Sequence, residues 1–392
     1  MNGTGTASLS IARLRRGAWI AGLGGSALCL LGAALNLDQF LRSYLLAFLF
    51  WLGIALGGAG VVMMHYLVGG NWGLIVRRPL EAATATLPLM ALLSIVFVFL
   101  GMRRLYEWTH ADSVARDELL RHKQAYLNVP FFWMRTIIYF VIWIGLAWLL
   151  RRWSDRMEAQ PDAAWARRLR LLSGPGLVLY GLTMTFAAID WVMSLSPQWY
   201  STIYSVIFLT EQGVAAFAFA IIMLRLLLKE PALAGVITAE RMHDLGNLLL
   251  AFIMLWAYVS LSQFIIIWSG NLPEEVRWYA PRAAGGWGVL AVLLALFHFF
   301  APFLLLLSRD VKLSLWALPL VALLILAVRW IDLLWIIAPA FENGRFHIHW
   351  LDVVAPLALG GIWVLVFVWR LERRALLPPE ARHLRAEAEG HG

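Results

Sequence analysis

The chain has a single cysteine, Cys29, among 392 residues. One thiol allows no intrachain disulfide, no cysteine-ligated iron–sulfur cluster and no CxxCH haem attachment. Any redox cofactor would need other ligands or belong to a partner. Charge is scarce as well: Asp, Glu, Lys and Arg make up 14% of the residues against 61% hydrophobic ones, with 21 Trp and a mean hydropathy of +0.73. Such a composition lies outside the range of a soluble domain and reads as a polytopic membrane protein. Long polar stretches are missing too. The largest loops, 103–130 and 151–174, have room for short surface helices only, so function is expected inside the helix bundle or at its contacts. The formal charge of +8 comes from residues spread over loop ends, with no basic domain to hold a nucleic acid. Topology explains them better, and no nucleic-acid partner is expected.

Hydropathy predicts an all-α protein with ten transmembrane helices. The spans are Gly17 to Leu35, Tyr44 to Val68, Ala82 to Met102, Phe131 to Leu150, Pro175 to Leu195, Thr202 to Leu228, Leu245 to Ser269, Ala284 to Ser308, Leu313 to Ala338 and Val353 to Trp369. The first follows Arg13, Arg15 and Arg16 as a signal peptide would, but is read as retained. Of the 32 Lys and Arg, 21 fall on the side holding both termini and 9 on the other. By the positive-inside rule both termini are expected in the cytoplasm. A faint parallel repeat sets Ala188–Met193, around Asp190, against Trp330–Trp335, around Asp332, four spans later. Residues 1–392 thus read as one integral membrane domain holding two four-helix bundles, 44–195 and 202–338, flanked by the first and last spans.

The stretch Glu240–Glu275 is expected to organise the rest. His243 and Asp244 stand at its start, about 24 mostly apolar residues follow, and Asn271-Leu-Pro-Glu-Glu closes it. Tyr258, Ser260, Ser262 and Gln263 put polar groups at membrane depth, so this helix should face protein, water or a ligand. An Asp at a helix start is also an ordinary capping residue.

Ionisable groups inside hydrocarbon cost about 2.5 to 3.5 kcal/mol each and usually face the bundle interior. By depth they are Arg135, Asp190, Arg329, Asp332, His347, His349 and Asp352 on the outer side, Glu211 and His298 near the middle, and His65, His243 and Asp244 near the cytoplasm. Arg329 and Asp332 share a helix face with Cβ atoms about 5 to 6 Å apart, as a self-neutralising pair or as a tuned proton acceptor. Glu211, alone in an apolar run, must be protonated or find a cationic partner, and His298 is a candidate. Pro302 removes the hydrogen bond that the His298 carbonyl would accept. Only His65 and His243 form a histidine pair at one depth, and a transmembrane haem path wants a second pair, so neither haem b nor a metal is expected. Gly53 and Gly57 match a close-packing spacing. Trp191, Trp199, Tyr200 and Trp278 read mostly as an interfacial belt.

Several of these segments together resemble the F subunit of alternative complex III, within the polysulfide-reductase-type (NrfD-like) membrane subunits. They are His243-Asp-Leu-Gly, Trp256-Ala-Tyr, Ser262-Gln-Phe running to Trp268, Asn271-Leu-Pro-Glu-Glu, Asp190-Trp-Val-Met-Ser-Leu and Trp199-Tyr-Ser-Thr. Gln198 departs from the pattern, which has His there. The resemblance implies a cofactor-free subunit of the bacterial inner membrane, beside a homologous quinone-binding C subunit and partner subunits carrying iron–sulfur clusters and haem c. It implies a proton path through Asp190, Glu211, His243, Asp244 and Asp332, helped by Arg329, His65 and His298. Two other readings stay open. A quinone-binding catalytic subunit would use an outer pocket of Asp190, Trp191, Arg135 and His347, whereas a secondary transporter would be expected to show inverted repeats.

Overall fold

The computed structural model describes residues 9–160, 162–341 and 345–381. All regular structure among them is helical. Among the described residues ten helices are long and apolar enough to cross a membrane: α1 (Ser10–Leu35), α2 (Leu37–Val68), α3 (Asn71–Leu100), α4 (Val129–Ala159), α5 (Ala163–Leu195), α6 (Tyr204–Leu227), α7 (Ala239–Gly270), α8 (Gly285–Leu307), α9 (Ala317–Ala340) and α10 (Leu351–Glu372). Two rings of four result. Helix α2 packs on α3 and α5 while α4 bridges those two, and α6 packs on α7 and α9 while α8 bridges those two. The rings join along α2 and α6, and α1 pairs with α10 on the flank. An even number of crossings returns the chain to its starting side, so α1 begins and α10 ends on one face, called here the terminal face.

The centre differs from the expectation built on Glu240–Glu275. Helices α2 and α6 are each 83% buried over their most apolar window, against 28% for α7. On α7 only one stripe, including Trp256 and Gln263, is buried, while Tyr258 is 71% exposed on the outer side. Small side chains decide the order: a Cβ on Gly57 of α2 would lie 1.9 Å from the Gln212 carbonyl of α6, so the two backbones touch. In hydrocarbon, where apolar surface gains nothing by leaving lipid, such close packing chooses the partners.

Local chemistry sets the ends. Asn271 takes a left-handed conformation (φ 46°) and caps α7, and Pro273 then opens a short helix, Pro273–Ala283, with Glu274 and Glu275 in its first turn. Asn in that conformation, Pro at the first helical position and acids at the amino end are favoured in those places. Helices α4 and α5 run beyond their predicted ends, turning the expected 151–174 loop into projecting helix. Lys and Arg lower hydropathy without ending a helix, because their stems lie along it while their heads reach water. Helix α3 starts earlier than predicted, at Asn71, because the buried Arg77 and Arg78 are paired with Glu81 and Glu158. The expected tryptophan belt is only partial: Trp191, Trp199 and Trp278 are buried, with Trp191 wholly enclosed by Phe48, Phe97, Tyr139, Phe140 and Trp143.

Candidate functional site

Glu211 of α6 is wholly buried near the middle of the second ring. Its Oε1 lies 3.4 Å from His298 Nε2 of α8 and its Oε2 3.4 Å from Arg329 Nε of α9. Arg329 Nη1 donates to Asp332 one turn along. Three helices therefore bring together two pairs that the sequence offered separately, Arg329 with Asp332 and Glu211 with His298. His298 is held by stacking on Trp256 of α7, ring centroids 4.2 Å apart, and by a π-helical segment, Ala295–Phe300, that carries it. The wider turn ends just before Pro302. Such bulges occur where a helix re-aims a side chain, frequently at functional sites.

Two carboxylates and one guanidinium leave one negative charge in excess. An uncompensated charge is costly in a low-dielectric interior, so one proton taken up by the two carboxylates would bring the cluster to neutrality. No geometry locks that proton. Both Glu211 oxygens and both His298 ring nitrogens are buried with no protein hydrogen-bond partner among the described residues. A cavity of about 10 Å³ lined by Glu211, Gln212, Phe208 and Arg329 is the room of one water molecule. Glu211, His298 and Asp332 could converge on a cation, with ligand atoms within 4.8 Å of one another. The Arg329 guanidinium already holds both carboxylates, and a divalent ion would have to displace it.

Toward the face opposite the termini, polar groups continue. Tyr204, two turns before Glu211, has a buried hydroxyl that senses the charges of Arg282, Asp332 and Arg329 and has no hydrogen-bond partner among the described residues. Arg282, on Pro273–Ala283, is buried; its guanidinium donates to the carbonyls of Trp278 (2.7 Å) and Ile336 (2.6 Å) and lies 3.8 Å over the Trp278 ring. Burial pushes the Arg282 guanidinium down to about 10, so it stays cationic at neutral pH. Toward the terminal face the lining is apolar: Val214–Ile221 of α6 is buried throughout, and Phe217 meets Phe252 of α7.

The other expected residues lie elsewhere. Asp190 of α5 takes Arg135 Nε and Nη2 of α4, both at 2.8 Å, and Tyr139 Oη at 2.6 Å. Arg135 also donates to the Tyr126 carbonyl (3.0 Å) and sits between the Tyr126 and Phe131 rings. That pair is neutral and its groups are engaged. Burial first, then the charge of Asp190, pushes the phenol of Tyr106 up, and its hydroxyl donates to the Trp191 carbonyl. His347 is exposed and lines a different small cavity, with Gln39, Arg42 and Asp352, rather than joining Asp190 and Trp191. Asp352 accepts from Ser43 (2.6 Å), Gln39 (3.2 Å) and the His349 amide (2.8 Å). His65 packs edge-on to Trp72 under Gly73, whose missing Cβ would lie 1.9 Å from its Nδ1. His243 and Asp244 stand at the terminal end of α7, 4.0 Å apart and partly exposed, His243 also meeting Asn247. Gln198 donates to both Glu107 and Asp117 at 3.3 Å, on the opposite face.

Tyr204, Arg282 and Trp256 belong to the site but were not singled out for it. In sequence Tyr204 and Arg282 sit at span ends, where aromatic and basic residues are ordinary interfacial anchors. No protein-family model matches this chain, and no curated protein matches it.

Proposed function

We propose that this chain conducts protons as a cofactor-free subunit of a quinol:electron acceptor oxidoreductase of the alternative complex III kind. The observation that carries the reading is the Glu211–His298–Arg329–Asp332 cluster, two carboxylates against one guanidinium buried deep in the bundle. Its anion is stabilised by Arg329, and its acceptors differ little in position, so the proton can move without a large rearrangement. The resemblance of the F subunit segments supplies the context. Quinol would be oxidised at a sister C subunit, with iron–sulfur clusters and haem c on further subunits. The excess of Lys and Arg at the terminal face supports cytoplasmic termini, and the resemblance brings the bacterial inner membrane.

In this reading Asp332, Tyr204 and Arg282 lead from the cluster to the periplasmic side. The fixed charge of Arg282 keeps cations from resting there while water relays the proton. The apolar segment Val214–Ile221 is the barrier that water must cross from the cytoplasm, where His65, His243 and Asp244 stand. Asp190 belongs to the path less well, because Arg135 and Tyr139 occupy its carboxylate. The same engagement weakens the quinone-site alternative: a quinol hydroxyl would have to displace a bidentate arginine to reach that base.

Proton release per electron in liposomes holding the purified complex tests the proposal. At matched quinol oxidation rates, Glu211→Gln should lower the ratio while electron transfer persists. An unchanged ratio would make Glu211 structural and remove the proposal.

A further inference from the structure

At the terminal face, α2, α3, α4 and α10 meet around a dense set of charges. Arg77 and Arg78 of α3 and Arg374, just past α10, bind Glu81 and Glu158, and Arg374 also binds Asp155. Three arginines thus match three carboxylates. Two more arginines, Arg151 of α4 and Arg370 of α10, stand at the same corner. Neither makes an ion pair within 4.0 Å among the described residues. Arg151 senses Asp155 only beside the nearer Arg374, and Arg370 feels the like charges of Arg151 and Arg373. The Arg370 Nε is buried with no hydrogen-bond partner among the described residues.

These two arginines close one end of a cavity of about 130 Å³ that is otherwise mostly apolar. Sequence creates the cavity. Helix α3 breaks after Thr84 and restarts at Leu87 with Pro88 in its first turn, and the small side chains of Ala59, Ala85 and Ala147 leave the break unfilled. Glu81 is the one acid on its lining, and Arg78 and Arg374 already neutralise it. Pro88 and Trp148, the latter 55% exposed, stand on the outward side of the bundle. A second, smaller cavity, whose charged lining is Arg78, Arg151, Arg370 and Arg374 with Glu81, extends the polar end.

We propose that this corner binds one anionic phospholipid, its phosphate on Arg151 and Arg370 and the start of one acyl chain in the cavity between α2, α3 and α4. The charge excess asks for an anion, and Arg151 and Arg370 stand where the apolar runs of α4 and α10 give way to charged sequence, the level at which a phosphate layer is expected. The apolar slot continuous with the arginines selects an anion that carries a hydrocarbon chain. A free phosphate would use the arginines alone.

Native mass spectrometry and thermal melting of the full chain in detergent, with added phosphatidylglycerol, phosphatidylcholine of the same chains, or inorganic phosphate, test the site. Phosphatidylglycerol should bind and raise Tm, while the other two should not. Arg151→Gln with Arg370→Gln should weaken phosphatidylglycerol binding roughly thirtyfold, at about one surface attraction per arginine. Should that variant not fold, Ala147→Phe fills the slot, keeps both arginines and should lose the lipid equally. Equal shifts by both lipids, a shift by inorganic phosphate as large as by phosphatidylglycerol, or a lipid preference that survives these variants would overturn the proposal.

Discussion

Asp190 and Glu211 look alike in sequence, each a lone acid in an apolar run, yet their surroundings differ in one charge. Asp190 meets a single bidentate arginine, so Asp190→Asn leaves Arg135 buried without its anion. Breaking such a pair costs about 3 to 5 kcal/mol. Glu211 shares Arg329 with Asp332, so Glu211→Gln removes the excess charge and leaves the Arg329–Asp332 pair intact. Thermal melting in detergent should therefore fall steeply for Asp190→Asn and stay close to native for Glu211→Gln. The reverse order would mean that Glu211 holds the fold together. The sequence displayed Glu211, Arg329, Asp332 and His298 because an ionisable residue inside hydrocarbon is conspicuous. It set Arg135 near Asp190 in an outer pocket but did not display their ion pair, since the two are 55 residues apart and only the α4–α5 packing joins them. Tyr204 and Arg282 were hidden for a different reason: at a span end, a buried tyrosine or arginine has the same local sequence as an interfacial one.

Among elements, the ten spans were legible because each is a run of apolar residues of bilayer length. Their ranking was not. Polar residues at depth on α7 suggested a central helix, whereas Tyr258 points outward and the small residues of α2 and α6 hold the centre. Hydropathy measures how well a helix enters lipid and says little about which helices touch. The contact at Gly57 makes that difference measurable. A Cβ there would meet the Gln212 backbone at 1.9 Å, while one at Gly53 would find its nearest neighbour, Gln212 Cγ, at 3.7 Å. Gly57→Ala should thus destabilise the protein by about 1 to 3 kcal/mol, the range of overpacking, and Gly53→Ala should be near neutral. Equal melting temperatures for the two variants would show that α2 and α6 can part without cost. The break in α3 at Ala85 and Thr86 likewise has a signature in retrospect, Thr84-Ala-Thr-Leu-Pro, but hydropathy alone runs straight through it.

For the whole molecule, each ring buries an acid–arginine centre away from the terminal face, Asp190 with Arg135 in the first and Glu211 and Asp332 with Arg329 in the second, and among the described residues the second of these is out of charge balance. That asymmetry gives the protein a direction. From the cluster, Asp332, Tyr204 and Arg282 continue to the face opposite the termini, while Val214–Ile221 and the Phe217–Phe252 contact block the other way. A proton bound at the cluster should then equilibrate with one compartment faster than with the other. Infrared spectroscopy of oriented vesicles can read this through the band of a protonated carboxyl group that vanishes in Glu211→Gln. Making the compartment on the opposite face alkaline should remove the band promptly, and making the terminal side alkaline should remove it slowly. Replacing Phe217 with Ala opens the barrier and should speed the terminal response while leaving the other unchanged. Equal rates in the native protein would place a continuous water path across the bundle, and the apolar segment of α6 would then have no role as a barrier.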